Sequence, residues 1–299
     1  MNQDIKDVIM NNRMYIYISV ISIFIITLIL IIVVKYNESS DITIPFYIPR
    51  TVQYKTPDKK TILNINSLSF NGIPAVIYQT GYSKKVCPKI GSIIKMNLEE
   101  NPEFDYYFYD DDDCLNFIKD NYSIDVVNAY TKLKPGAFKA DLWRYCILYK
   151  NGGIYMDIKF IIKTPLIKYL QTHSTSFVAD IDDDKIYNAI LIAPPKLDVF
   201  KKAIDNIVTN VNSKYYGKSC LDPTGPGLLG KIIYNSDYEK YISMYLEKKQ
   251  TEVLTVKDKE TDEIVFESYN KYEYYMHYYT FNNKTHYGYL WNKKDIYHK

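Results

Sequence analysis

Residues 135–160 read PGAFKADLWRYCILYKNGGIYMDIKF, and the fold turns on how this stretch is divided. Pro135 and Gly136 interrupt whatever precedes them. From Ala137 to Lys150, Phe138, Leu142, Tyr145, Cys146 and Tyr149 recur at helical spacing, which predicts a helix with one buried face. Asn151, Gly152 and Gly153 end it, because glycine just past a helix can take the left-handed conformation that closes the last turn. Ile154 to Ile161 then alternates. Tyr155, Asp157 and Lys159 point one way and Ile154, Met156, Ile158 and Phe160 the other, so a charged pair rides on an otherwise buried strand.

On the helix, Asp141 and Arg144 stand three residues apart beside the apolar face, close enough for an ion pair. Exposed helical pairs of this kind are common and contribute only about 0.5 kcal/mol, so a purely structural role stands beside a functional one. The strand that follows favours function, since carboxylates at the carboxyl end of a strand in an α/β sheet sit where ligands bind.

The segment GAFKADLWRYCILYKNGGIYMD resembles the signature of glycosyltransferase family 32, a helix with Asp-x-x-Arg-Tyr followed by Gly-Gly-Ile-Tyr-x-Asp, and within that family it is most similar to members carried by large DNA viruses. The resemblance implies a nucleotide-sugar-binding A-type fold and retaining transfer of a hexose or N-acetylhexosamine. In the family the strand ends Asp-x-Asp and holds a divalent cation, Mn or Mg, on the donor diphosphate. Here it reads Asp157-Ile158-Lys159, so the second acid is missing and metal dependence is expected to be weak.

Across its 299 residues the chain is 24% charged and 47% hydrophobic with a formal net charge of +2, which suits one large domain with an appendage. Without a basic stripe there is no electrostatic footprint for a nucleic acid. The 32 tyrosines, alongside abundant Ile, Asn and Lys, fit an AT-rich coding sequence first and sugar-stacking surfaces second.

Met14 to Val34 is an uncharged apolar run, long enough to cross a hydrocarbon core of about 30 Å as a helix. A cleaved signal peptide is the competing reading, but its apolar region would be about 7 to 15 residues, and Lys35, Tyr36, Asn37 and Glu38 follow here rather than small residues. Flanking charges do not decide orientation, because Lys6 and Arg13 nearly balance Lys35 and Arg50. The family resemblance implies a type II arrangement, with the amino end cytoplasmic and the catalytic domain luminal, Golgi- or ER-like, or in a host membrane if the chain is viral. The expected order is a tail over 1–13, a membrane helix over 14–34, a stem over 35–68 and the catalytic domain over 69–299. Glycosylation sequons occur at Asn37, Asn121 and Asn283. Cys87, Cys114, Cys146 and Cys220 have no metal-type spacing, and free thiols fit them better than a disulfide framework.

The run IPAVIYQT, Ile73 to Thr80, predicts a first buried parallel strand opening onto a site. It resembles the family's Ile-Pro-x-x-Ile-His-Gln-Thr, which implies that Gln79 and Thr80 neighbour the nucleotide; an ordinary polar strand end is the alternative. Tyr106 to Tyr109 predicts a second strand, and Asp110 to Asp113 the start of a helix through Ile118, whose acids favour capping over metal binding. Ser176 to Ala179 and Ile186 to Ala193 predict two further strands around the acids Asp180, Asp182, Asp183 and Asp184. By resemblance, Asn188 bonds the transferred sugar and one of those acids faces the reacting carbon. Thr224 and Gly225 resemble the family's Thr-Gly-Pro loop at a helix amino end. His286 and Trp291 resemble a late His and Trp that fold over the donor diphosphate, which makes His286 a candidate ligand beside Asp157.

The expected architecture is therefore an α/β, Rossmann-like A-type glycosyltransferase domain with a mostly parallel central sheet, tethered by one transmembrane helix. In the expected reaction, charge grows on the leaving diphosphate while an oxocarbenium-like sugar departs. Arg144 and Lys159 suit that charge, Asp141 and Asn188 the sugar, and Asp157 a ribose or a cation. The acceptor is expected to be a glycan, glycoprotein or glycolipid. The reading from another class is a degenerate glycan-binding or scaffold protein in the membrane, in which Lys159 has abolished metal binding and catalysis.

Overall fold

The computed structural model describes residues 21–28, 42–43, 47–48, 68–182, 184–248, 253–269 and 285–298. The core is built on a five-stranded sheet that contains β1 (Val76–Thr80), β2 (Asp105–Tyr109), β3 (Gly153–Met156) and, further along the chain, Ile190–Ala193. Its spatial order is Ile190–Ala193, β3, β1, β2 and Tyr47–Ile48. β3, β1 and β2 run parallel, while both edge strands are antiparallel.

A second five-stranded sheet contains β4 (Phe160–Ile162), β5 (Phe177–Ala179), β7 (Ile242–Lys248), β8 (Leu254–Asp258) and β9 (Ile264–Ser268), where β6 denotes Ile190–Ala193 of the first sheet. Its order is β5, β7, β8, β9, β4, and only β5 and β7 are parallel. The expectation of a mostly parallel sheet is thus corrected to a mixed α/β fold with a three-strand parallel heart.

Side chains of the first sheet divide by strand alternation. Val76, Tyr78, Tyr107, Tyr109 and Tyr155 join one apolar cluster with the helices α2 (Asp111–Asn121), α3 (Ile124–Lys132), α4 (Gly136–Asn151), α6 (Asp198–Asn212) and α7 (Pro226–Ile233). Ile77, Tyr106, Phe108, Ile154 and Met156 face the other way, toward α1 (Pro88–Glu99), α5 (Leu166–Thr172) and the second sheet. Each fully buried Leu, Ile or Phe here contributes about 1.5–3 kcal/mol by leaving water.

α4 matches its expected bounds to within a residue at each end. Gly152 and Gly153 both have positive φ, at 66° and 104°, and a Cβ on Gly152 would lie 2.5 Å from Pro195 N. This turn is therefore closed to any larger residue. α2 begins with a capping box, in which Asp110 Oδ1 accepts from Asp113 N and Asp113 Oδ2 accepts from Asp110 N. The acids at Asp110 to Asp113 therefore serve the helix start, and Lys84 pairs with Asp113 at 2.7 Å.

Two expected strands are shorter than the sequence suggested. Ile154 to Ile161 is not one strand: β3 stops at Met156, Asp157 to Phe160 form a turn with Phe160 N donating to Asp157 O at 3.1 Å, and β4 belongs to the other sheet. The run from Ile186 likewise becomes a strand only at Ile190. In both places the chain leaves a sheet where the apolar pattern continues, because the residues are buried against two sheets rather than along one.

Within the expected stem, Tyr47–Ile48 pairs with β2 and Ile42–Thr43 with Lys85–Val86. Residues 21–28 are helical and exposed. Among the described residues no helix is long and apolar enough to cross a membrane. The rest of the expected span, most of the stem, Asn37, Asp183 and Asn283 lie outside the described residues. The four cysteines are free thiols, with Cys114 and Cys146 buried.

Candidate active site

Strands β2, β1 and β3 stand in that order, so the chain leaves β1 toward one side and returns to β3 on the other. A crevice opens beyond the carboxyl ends of strands at such a reversal, and ligands of open α/β sheets bind there. A cavity of about 290 Å³ occupies this position, lined by Thr80 from the end of β1, Asp141 and Arg144 from α4, Asp157 and Lys159 from the turn after β3, and Asn188, Tyr187 and Asp180 from the approach to β6.

α4 holds the inner charges. Arg144 is 5% exposed and Asp141 7%, so neither is the surface pair that its spacing alone allows. Arg144 Nη2 lies 3.3 Å from Asp141 Oδ1, Nη1 donates to Asn188 O at 2.6 Å and stands 3.7 Å from Asp157 Oδ1, and Nε donates to Ala140 O at 3.1 Å. The guanidinium also lies 4.4 Å from the Tyr155 ring centre. A fixed fork with this many partners is the geometry that makes arginine suitable for a buried charge.

Asp141 receives Thr224 Oγ1 at 2.7 Å on one oxygen and Asn188 Nδ2 at 2.9 Å on the other. Asn188 Nδ2 also donates to Tyr145 OH at 2.8 Å. Burial pushes the Asp141 carboxyl above its ordinary range, although Arg144, Thr224 and Asn188 all pull the other way. A Cβ on Gly225 would come within 3.1 Å of Asp141 Oδ2, which explains why the Thr224-Gly225 loop can close so tightly over the carboxylate.

Asp157 is the outer charge. Its Oδ1 accepts from Tyr155 OH at 2.7 Å, and its Oδ2 lies 3.1 Å from Lys159 Nζ. Burial opposes the Asp157 anion, but Lys159, Arg144 and the Tyr155 hydroxyl together outweigh it and hold the carboxyl below the usual range. Lys159 Nζ is 5.5 Å from the Phe160 ring centre and 5.7 Å from that of Tyr187. Burial works against the ammonium, yet Tyr187 and Asp157 raise its pKa overall, so it stays cationic. The buried Tyr187 hydroxyl makes no hydrogen bond of normal geometry among the described residues and lies near enough to Lys159 for each to shift the other's titration.

The structure brings Thr80, Asp141, Arg144, Asp157, Lys159, Asn188 and Gly225 to one cavity, while Gln79, Thr224, His286 and Trp291 do not line it. Thr224 supports the site through Asp141. Gln79 is buried behind it, accepting from Tyr106 OH at 2.8 Å and donating to Asp157 O at 3.4 Å. His286 caps the short helix α8 (Tyr287–Asn292), its Nδ1 accepting from Gly288 N at 3.1 Å, and Trp291 Nε1 donates to Tyr216 O at 2.6 Å. Of the acids after β5, Asp180 alone among those described lines the cavity, whereas Asp182 and Asp184 pair with Lys185 outside. Burial raises the Asp180 carboxyl. Tyr187 and Tyr155 are cavity residues to which the sequence assigned no role; Tyr155 shares the alternation of Asp157 and Lys159, whereas no spacing in the chain ties Tyr187 to Lys159.

The residues present do not fit a divalent cation. His286 does not line the cavity that Asp157 lines, and among the described residues no three of His, Cys, Asp and Glu come together as a cation site. Both Asp157 oxygens already serve protein donors, and an ammonium and a divalent ion about 4 Å apart repel by roughly 8 kcal/mol at an effective dielectric of about 20. The expected pairing of Asp157 with His286 is corrected accordingly.

Comparison with known proteins covers the part of the chain that carries the inner and outer charges. Residues 89–178 match the family described as "Glycosyltransferase sugar-binding region containing DXD motif", a span that includes Asp141, Arg144, Asp157 and Lys159. An initiation-specific alpha-1,6-mannosyltransferase of Candida albicans is 31% identical over 40% of this chain and 34% of its own length. An uncharacterized glycosyltransferase of Acanthamoeba polyphaga mimivirus is 34% identical over 33% of this chain and 40% of its own. Inositol phosphoceramide mannosyltransferase 1 of Schizosaccharomyces pombe is 24% identical over 64% and 63%. The chain thus spans less than two thirds of the length of each of these relatives. Among solved structures, PaToxG glycosyltransferase aligns with a TM-score of 0.42 at 16% identity, over 55% of this chain and 68% of that one, a likeness too loose to bear on function. Residues 89–178 of this chain are thus similar to the sugar-binding region described for the DXD-containing glycosyltransferases, with Lys159 standing where the motif has its second acid.

Proposed function

We propose that the protein is a membrane-anchored, retaining glycosyltransferase that moves a hexose or N-acetylhexosamine, mannose first among them, from a nucleotide sugar to a glycan, glycoprotein or glycolipid. The observation that carries this reading is the charge chain Asp141, Arg144, Asp157, Lys159 at the β1/β3 reversal, which sets two fixed cations in the wall of a cavity of about 290 Å³. Positive groups fixed in a water-poor cavity are what a departing diphosphate requires. Asn188 and Asp141 are positioned for the sugar hydroxyls, Asp180 faces the same space, Thr80 and Gly225 shape its walls, and Gln79 and Thr224 brace it from behind. Mannose comes first because relatives from Candida albicans and Schizosaccharomyces pombe are named as mannosyltransferases.

The test is release of nucleoside diphosphate by the full chain, purified in detergent, from a panel of nucleotide sugars. Turnover of at least one donor supports the reading, and binding without release would favour a degenerate glycan-binding protein instead. One observation speaks for that second reading: both oxygens of Asp157 are engaged by the protein's own groups.

Anchoring rests on the uncharged run from Met14 to Val34, of which Ile21, Ile23, Phe24 and Ile26 expose 57% or more of their surface on a helical backbone. Side chains of that kind fit a hydrocarbon surround. In sealed secretory membranes the catalytic domain should resist added protease until detergent opens them. Digestion from the cytoplasmic side would reverse this orientation.

A further inference from the structure

The charged cluster has an acid at Asp157 and a base at Lys159, where the matched family's description names an acid at both ends of its motif. We infer that the diphosphate of the donor is held by the side chains of Lys159 and Arg144, in a subsite that needs no bridging divalent cation. This inference rests on the glycosyl-transfer reading and concerns how its leaving group is bound.

Three features of the geometry carry it. The Lys159 ammonium lies 3.1 Å from Asp157 Oδ2, beside the place where an ion held by that oxygen would have to sit. Its position is fixed from several sides, since the Phe160 and Tyr187 rings flank it at 5.5 and 5.7 Å and its carbonyl accepts from Tyr269 N at 2.6 Å. The Arg144 guanidinium stands 3.7 Å from the other oxygen of the same carboxylate, so Asp157 brackets two cations rather than recruiting a third. The Tyr187 hydroxyl supplies a further donor at the cavity wall, because it is buried and makes no normal hydrogen bond among the described residues. An ammonium and a guanidinium offer N–H donors and no acceptor for a metal, and the phenol adds an O–H donor, which suits phosphate oxygens directly.

The charges balance as they would around a metal. Asp141 and Asp157 offset Lys159 and Arg144, so the diphosphate enters a cavity wall that is neutral overall. When the glycosidic C–O bond breaks and its electron pair stays on the phosphate oxygen, the new negative charge meets fixed N–H donors.

Titration calorimetry of the full chain with UDP and with GDP, each in excess EDTA and in Mn²⁺, tests this. The expected result is binding of at least one nucleotide in EDTA, with affinity changing less than about threefold on adding Mn²⁺. Lys159→Ala should weaken binding roughly tenfold to a hundredfold in both conditions, the loss typical of one charge-assisted hydrogen bond. Lys159→Arg should retain binding in EDTA, and Lys159→Asp should bind only with Mn²⁺. Binding by the unaltered protein that appears only with Mn²⁺ would overturn this inference and leave the glycosyl-transfer reading standing. Binding of neither nucleotide in any condition would overturn both. Because the unaltered protein decides these outcomes, a variant that fails to fold leaves the answer intact.

Discussion

Helices α4 and α6 pack against each other through the stacked rings of Tyr145 and Phe200, and both carry acid–base pairs at helical spacing. On α6, Lys201 lies 2.5 Å from Asp205 and Lys202 3.0 Å from Asp198, with roughly half of each side chain in water. On α4, the 3.3 Å contact of Arg144 with Asp141 is sealed at 6% and 9% side-chain exposure. One spacing rule produces both, and only the surroundings separate them. α6 buries a single apolar face, through Val199, Phe200, Ala203, Ile204, Ile207 and Val211, and turns its charges outward. α4 is buried on all sides from Asp141 to Leu148, so its charges there have to be satisfied by Asn188, Thr224 and Asp157.

The sharpest way to break this contrast is Arg144→Ala. Removing one partner of a buried charge cluster leaves Asp141 and Asp157 uncompensated, and we expect a stability loss of about 3–5 kcal/mol by chemical denaturation, with turnover abolished. A loss below about 1 kcal/mol would return the pair to the α6 class. Asp141→Asn is milder, since it keeps the shape and removes the charge: turnover should fall on the order of 10²-fold while the fold persists. Unchanged donor turnover would mean that Asp141 only braces Arg144.

Acid titration separates the two carboxylates. The Asp157 pKa is depressed in the folded chain, so its contribution is present above the ordinary carboxylate range and lost as pH falls through its folded value. Asp141 is raised, so its effect has the opposite sign: it favours the fold below the ordinary range and ceases to do so as pH rises through its folded value. Asp157→Asn should therefore flatten the decline of the melting temperature below about pH 4, and Asp141→Asn should leave that decline in place. Equal pH profiles for the two variants would contradict the assignment. At the small end, Lys201→Ala on α6 should change stability by no more than about 0.5 kcal/mol, and a larger change would show that exposure misjudges that pair.

What the sequence made legible follows the same division. α4 was readable to a residue because its stop is local chemistry, two glycines that alone tolerate the backbone there. The acids at Asp110 to Asp113 were readable as a helix start for the same reason. Asp157 and Lys159 were placed side by side correctly but on a strand that does not exist, because alternation cannot reveal that Met156 is the last residue of one sheet and Phe160 the first of another. The second sheet was missed although Ile242, Met244 and Leu246 alternate in burial with Ser243, Tyr245 and Glu247, a period-two signal that was there to be counted. Asp180 could not be told from Asp182 and Asp184, since only the path of the chain decides which acid of such a cluster faces inward.

The turn between the two sheets bears on how such a site changes over generations. Its path is held by main-chain groups, Phe160 N to Asp157 O and Tyr269 N to Lys159 O, none of which depends on the identity of side chain 159. A lineage can therefore exchange the residue at this one position, carboxylate for ammonium or back, while the framework around it stays as it was. Ancestral reconstruction along the branch leading to this chain would then find the substitution tolerated on its own, with no companion changes in β3 or β4.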